Sequence, residues 1–229
     1  MGIAIRDLTF SFNGPSGFTF EISDVSLATG QTYVLLGPSG SGKSTLLNLL
    51  AGTLRPDSGA IELAGQDLSG IKAAQMDRFR GEHIGFIFQT LNLIPWLSAQ
   101  DNIALALAFA PRRRARLNGA LNDNIKALAQ RMQIEQALLA QPAGQLSIGQ
   151  QQRVAAVRAL IGAPDIILAD EPSSALDEAN TKLFFDLLMG SLDKTRQTLL
   201  VVSHDTRVTG FFDHTLMADD IIKSRGGDE

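Results

Sequence analysis

Residues Gly37–Thr45 read GPSGSGKST and fit the pattern G-x-x-x-x-G-K-[ST]. They follow Thr32–Leu36, a short apolar run without alternation, and lead from Lys43 into STLLNLLAG, whose spacing is helical and which ends at Gly52. This strand–loop–helix order restricts the fold sharply. A strand apolar along its whole length needs cover on both faces, which a parallel α/β sheet flanked by helices provides. The loop's glycines let successive N–H groups converge on phosphate oxygens, and the helix N-terminus adds its positive dipole end. Gly37, Pro38, Ser39, Gly40, Ser41 and Gly42 are therefore expected to wrap the phosphates of a nucleotide. Lys43 is expected to reach the β- and γ-phosphates, Ser44 to place its hydroxyl on Mg²⁺, and Thr45 to add a phosphate contact.

Ile84–Phe88, Ile166–Ala169 and Leu199–Val202 repeat the buried-strand character and are separated by helix-like stretches, which predicts a mostly parallel sheet. Residues 3–27, rich in β-branched and aromatic side chains with a turn at Asn13, Gly14 and Pro15, predict an antiparallel opening, and Ala60–Leu63 a further short strand. From Leu91 to Ala163 the composition shifts to Ala, Leu and Gln with helical periodicity; Ser98 and Asp101 form a capping box there, and a helix is expected over Gln150–Ile161. The chain thus reads as one domain, residues 1–229, of α/β class. A β-containing, phosphate-loop nucleotide-binding core spans 1–90 and 164–229, with an N-terminal antiparallel subdomain, and a helical subdomain is inserted at 91–163; the loop alone would also suit a nucleotide kinase or a GTPase. Gly37, Gln89, Asp170 and His204 each follow a predicted buried strand, so these sequence-distant groups are expected along one edge of the sheet, where open α/β sheets bind ligands.

Ile166–Ala169 leads directly into Asp170 and Glu171. A carboxylate at a strand end is suited to hold Mg²⁺ through its water shell, because that ion keeps several waters and takes few carboxylates. Glu171 is then free to act as general base on the water that attacks the γ-phosphate, a role worth about 10² to 10⁴ in rate. An acidic pair before Pro172 is by itself a common way to begin a loop.

The 229 residues, 45% of them hydrophobic, suffice for a substantial core. A net charge of −4 and a pI near 5.4 argue against an electrostatic grip on nucleic acid. The absence of cysteine excludes disulfides, thiol catalysis and cysteine-ligated metals. The N-terminus has neither signal-peptide nor myristoylation character, and Ile103–Ala110 falls far short of the about 20 residues of a spanning helix, so a cytoplasmic chain that does not cross a membrane is expected.

LSIGQQQR at Leu146–Arg153, together with Gln89 in FIFQ, SALD at Ser174–Asp177 and His204 in VVSH, resembles the motif set of ABC ATPases in the family's order and over essentially the whole chain. The resemblance implies that Gln89 senses Mg²⁺ and the attacking water, that His204 contacts the γ-phosphate, and that Phe12 stacks on adenine. It also implies a head-to-tail homodimer in which Ser147, Gly149 and Gln150 of one copy close over ATP held by the other. Asp177 joins the nucleotide site on this resemblance, and could equally cap a helix beginning at Glu178. The signature departs from LSGGQ at Ile148; a β-branched residue there predicts backbone in a region open to all L-residues. TLNLIPWLSAQDNI and RFRGEHIGF resemble the branch serving lipoprotein release, macrolide-type export and cell-division complexes. That implies a separate transmembrane permease and a place on the cytoplasmic face of the inner membrane; a mechanical switch on a membrane complex that transports nothing is the other reading. Ile94–Leu97 suits an exposed docking loop, or Trp96 packs within the helical part. Arg112, Arg113, Arg114 and Arg116 read as a solvated basic loop, less often as a contact to anionic headgroups.

Overall fold

The computed structural model describes residues 2–12 and 19–225. In chain order, β1 (Ile3–Ser11), β2 (Thr19–Ile22) and β3 (Val25–Leu27) precede β4 (Thr32–Leu36) and α1 (Lys43–Leu50). Then come β5 (Ser58–Leu63), β6 (Gln66–Asp67), α2 (Ala73–His83) and β7 (Ile84–Ile87). A helical stretch follows: α3 (Ala99–Leu105), α4 (Pro111–Ala115), α5 (Leu121–Arg131), α6 (Gln136–Leu139) and α7 (Ile148–Leu160). The chain returns to the sheet through β8 (Ile166–Asp170), α8 (Glu178–Ser191), β9 (Thr198–Ser203), β10 (His214–Met217), α9 (Ala218–Ile221) and β11 (Ile222–Arg225).

The apolar strands form a parallel sheet in the order β10-β4-β9-β8-β7. Its strands bury alternate residues on opposite faces, as the two-residue period of a strand requires. Val34, Leu36, Ile167, Ala169, Leu199 and Val201 pack against α3, α5, α7 and α8 in one continuous cluster. Tyr33, Leu35, Ile166, Leu168, Leu200 and Val202 pack on the other side with α1 and an antiparallel sheet. That second sheet is ordered β11-β2-β1-β5-β6 with β3 paired to β1. Because both faces are covered at the centre of this sheet, β4, β8 and β9 carry no polar alternation: Thr32–Leu36, Ile166–Ala169 and Thr198–Ser203 are buried at every position.

The structure departs from the sequence expectations at several points. The helix expected from Gln150 starts at Ile148, because Ser147 and Gln150 make a reciprocal capping box that fixes Ser147 as the N-cap. The box expected at Ser98 is half formed: Ser98 Oγ accepts from the Asp101 N–H at 3.0 Å, while the Asp101 carboxylate takes the Ser98 hydroxyl instead of its N–H. Strand β10 and the pairing of β11 with β2 were not expected from sequence. The turn at Asn13, Gly14 and Pro15 lies outside the described residues.

The basic cluster is not a solvated loop. Pro111 opens α4, and Arg113 on it is 2% exposed, its guanidinium donating to the carbonyls of Gly81, Ile84, Ala159 and Ile161. Arg116 reaches the Ala163 carbonyl and Asp165, and Arg112 meets His83 Nε2 at 3.1 Å; Arg114 is exposed. Trp96 is 77% exposed, so it does not pack inside the helical stretch. Its loop is held from beneath by the buried Asn102, whose amide accepts from the Ile94 N–H and donates to the Ile94, Leu97 and Ser98 carbonyls. Among the described residues no helix is long and apolar enough to cross a membrane.

Candidate active site

The loop after β4 turns at Gly42, the N-cap of α1, with φ at +87°; a Cβ there would lie 2.5 Å from the Phe20 ring. A Cβ on Gly37 would meet the Ala218 Cβ at 2.7 Å and Ser41 Oγ at 2.9 Å, so the backbone passes where no side chain fits. Lys43, the first residue of α1, is 6% exposed. Its ammonium donates to the carbonyls of Gly37 at 2.8 Å and Pro38 at 2.7 Å, and to Ser41 Oγ at 3.4 Å. The loop thus folds around a buried cation, whose charge could serve a polyanion such as a chain of phosphates.

One residue on, Ser44 Oγ donates to Asp170 Oδ1 at 3.1 Å, joining α1 to the end of β8. Burial pushes the Asp170 carboxyl above its ordinary value and the Glu171 charge adds to that, against the lowering effects of Ser44 and Lys43. A carboxylate held at that cost gains from a nearby cation. Among the described residues there is no group of three or more His, Cys, Asp and Glu that could hold a metal alone. A hydroxyl, a carboxylate and the Gln89 amide beside phosphate oxygens form a donor set that suits Mg²⁺, which takes few protein ligands.

Glu171 directly follows β8 with φ at +46°, a left-handed conformation that costs a residue other than glycine about 1 kcal/mol or more. Its N–H donates to the Val202 carbonyl at 3.0 Å, carrying the ladder to β9 one residue past the strand. Its carboxylate accepts from His204 Nδ1 at 2.9 Å and from Ser203 Oγ at 3.5 Å. Glu171 is largely enclosed, its side chain 13% exposed, whereas His204 at 56% faces solvent. The parallel register explains why these groups meet. Leu36 lies opposite Ser203, Asp170 opposite Val202 and Ile87 opposite Ala169, so the four strands stop at nearly one level and their next residues share one edge.

A cleft of about 340 Å³ opens on that edge, lined by Ser39, Gly40, Gly42, Lys43, Ser44, Thr45, Gln89, Glu171 and His204, with Phe20 as its aromatic wall. Phe12 is 45% exposed and packs edge-on to Phe20, with centroids 5.9 Å apart. Nothing in the sequence marks Phe20 as a site residue: its apolar position on β2 reads as ordinary core, and its place at the cleft follows only from the sheet packing. A larger cavity of about 710 Å³ lies between α1, β5 and α2, and neither the phosphate loop nor Gln89, Asp170, Glu171 or His204 lines it.

Ser147, Gly149 and Gln150 do not line this cleft. They sit at the N-terminus of α7, where Ser147 Oγ accepts from the Gln150 N–H at 3.3 Å and the Gln150 side chain accepts from the Ser147 N–H at 2.9 Å. Ile148 is the first helical residue, has negative φ and is 52% exposed, in keeping with the backbone expected of a β-branched side chain. Asp177 caps α8: its Oδ1 accepts from the Asn180 N–H at 2.8 Å, and it too lies outside the cleft. That bond is the main cause of its lowered pKa.

Residues 20–174 match the family model described as ABC transporter. The chain is 37% identical over 198 residues to the lipoprotein-releasing system ATP-binding protein LolD of Syntrophotalea carbinolica, covering 86% of this chain and 85% of that protein. It is 40% identical over 188 residues to the macrolide export ATP-binding/permease protein MacB 1 of Aeromonas hydrophila, covering 81% of this chain but 28% of that longer protein. Among solved structures it is similar to the dimeric post-hydrolysis state of the ATP-binding cassette MJ0796 bound to ADP and Pi, with a TM-score of 0.81, 30% identity, and 94% of this chain and 93% of that one covered.

Proposed function

The chain belongs to the ABC transporter family, as an ATPase cassette, and from that membership we propose that it powers lipoprotein release or export through a separate permease, seated on the cytoplasmic face of the membrane. The observation that carries the reading is the shared edge of β4, β7, β8 and β9, where a buried lysine, a hydroxyl–carboxylate pair and a glutamate–histidine pair surround one cleft.

In this reading the backbone of Gly37–Gly42 and the Lys43 ammonium hold the ATP phosphates, Thr45 adds a contact, and Phe12 and Phe20 provide the adenine surface. Ser44, Asp170 and Gln89 would hold Mg²⁺, which would supply positive charge to offset that of the phosphates. Glu171 takes the proton of the attacking water, whose oxygen bonds to the γ-phosphorus as the bond to the β–γ bridging oxygen breaks and ADP leaves. The hydrogen bond from His204 orients the Glu171 carboxylate, and the exposed imidazole is free to turn to the γ-phosphate. Ser147, Gly149 and Gln150 serve the cleft of a second copy, arranged head to tail; their distance from their own cleft and the dimeric solved relative support this. Residues 91–163 act as the helical subdomain that carries them.

Lys43→Ala tests the assignment. It should lose most ATP affinity and most phosphate release, because it removes the charge that the triphosphate meets. Wild-type values for both would sink the reading of the loop.

A further inference from the structure

Helix α7 carries the Ser147–Gly149 signature at its N-terminus, and eleven residues later, on its third turn, it grips a second element of the site. Arg158 Nη1 donates to the Asn92 carbonyl and Nη2 to the Leu91 carbonyl, each at 2.6 Å. Both acceptors are residues other than glycine in left-handed conformation, Leu91 with φ at +60° and Asn92 at +48°. Two such residues in succession are strained, Leu91 more than Asn92, and they stay there only where something holds them. The turn closes on itself as well. The Leu91 N–H donates to the Phe88 carbonyl at 2.9 Å, enclosing Gln89 and Thr90, and the Asn92 N–H donates to the Thr90 carbonyl at 2.7 Å. Local bonds therefore shape this turn, and the two prongs of Arg158 fix it in space relative to α7. The Arg158 guanidinium is half buried, and burial lowers its pKa. A charge kept at that cost with carbonyls as partners, and with no ion pair to a carboxylate among the described residues, is placed for geometry and not for an ion pair.

We infer that Arg158 is a positioning residue for hydrolysis: its guanidinium fork holds the Leu91 and Asn92 carbonyls and so sets where the enclosing turn presents Gln89, tying the metal- and water-facing amide to the helix that serves the other copy's cleft. This rests on the reading of Gln89 given above. Arg158 touches neither phosphate nor metal; it acts through the turn.

The test measures steady-state turnover, ATP affinity and the Mg²⁺ concentration for half-maximal turnover in Arg158→Ala, Arg158→Lys, Gln89→Ala and the Gln89→Ala/Arg158→Ala double variant. Leu160→Ala, buried in the same helix, controls for a general loss of stability. Arg158→Ala should lower kcat about tenfold or more and raise the Mg²⁺ requirement severalfold, with ATP affinity within about threefold because the phosphate loop is intact. Arg158→Lys, which keeps the charge but not the fork, should fall between, and it carries the test alone if the alanine variant does not fold. The double variant should need no more Mg²⁺ than Gln89→Ala, and Leu160→Ala should melt lower with an unchanged Mg²⁺ requirement. If Gln89→Ala shifts the Mg²⁺ requirement and neither Arg158 variant does, the inference is overturned. If Gln89→Ala leaves it at the wild-type value, the reading of Gln89 falls and the inference falls with it.

Discussion

Arg113 brings a charge into the interior and surrounds it with carbonyl oxygens from the ends of α2, β7 and α7. Burial, with a smaller push from Arg116, lowers its pKa to about 10, which leaves it protonated at neutral pH. The N–H groups of Arg112 and Arg113 at the start of α4 both donate to the Glu82 carboxylate, itself 2% exposed. Removing the guanidinium strands several buried carbonyls and leaves the buried Glu82 without its nearby positive charge. Arg113→Ala is therefore expected to lose about 3 kcal/mol or more in denaturant unfolding, and Arg114→Ala, on the exposed side, within about 0.5 kcal/mol. Equal values for the two would contradict the account of α4. Nothing local in the sequence distinguishes these arginines: a helix of five residues is too short to declare a face, and the acceptors lie 29 to 48 positions away.

Asp165 is the second such residue. It accepts from His83 at 2.6 Å, Arg116 at 3.2 Å and Arg196 at 3.1 Å. Burial raises its pKa, but His83 and the two arginines outweigh that and hold the carboxyl well below the usual carboxylate range. The folded state thus binds this proton less readily than the unfolded chain does. The group's contribution is complete above pH about 4 and is lost as the pH falls further toward the depressed value. Asp165→Asn should be about 2 kcal/mol less stable than wild type at pH 7, and the gap should shrink below pH 4. A gap that stays constant down to pH 3, followed by chemical unfolding at each pH, would contradict the linkage.

At the scale of elements, α7 shows what the signature asks of its backbone. Ile148 sits in ordinary helical conformation and exposes its side chain, and a Cβ on Gly149 would meet within this chain only Leu176 Cδ2, at 3.9 Å. Their own fold therefore requires a glycine at neither position. Ile148→Gly should keep ATPase activity within about tenfold of wild type, roughly 1.4 kcal/mol in the barrier. Gly149→Asp should nearly abolish it while leaving ATP binding intact, because the added charge meets the γ-phosphate of the other copy and not its own. A dead Ile148→Gly or an active Gly149→Asp, in a steady-state assay with binding measured alongside, would overturn this view of the closure. The start of α7 is legible in Ser147-x-x-Gln150 as a capping box, which sets the helix two residues ahead of the expected start at Gln150. The parallel strands were legible because strands covered on both faces leave unbroken apolar runs. Strand β10, three of whose four residues are exposed, and β11, paired about 200 positions from its partner, left no such mark.

At the scale of the whole molecule, the order of strands in one parallel sheet brings the phosphate loop, Gln89, Asp170, Glu171 and His204 to one edge, and sequence reasoning reached that edge because each motif directly follows a buried strand. What it could not reach from one chain's geometry is the second half of the site. The cleft opens to solvent at His204, and the signature residues face elsewhere on the same molecule. The central claim is that Glu171 drives hydrolysis in a cleft completed by another copy. Glu171→Gln keeps the shape of the side chain but cannot take a proton. Turnover and sedimentation of this variant with Mg-ATP test the claim together: the account predicts intact ATP binding, hydrolysis slowed by about 10² or more, and accumulation of a dimer that wild type does not retain. Turnover near the wild-type rate, with the protein monomeric throughout, would contradict it.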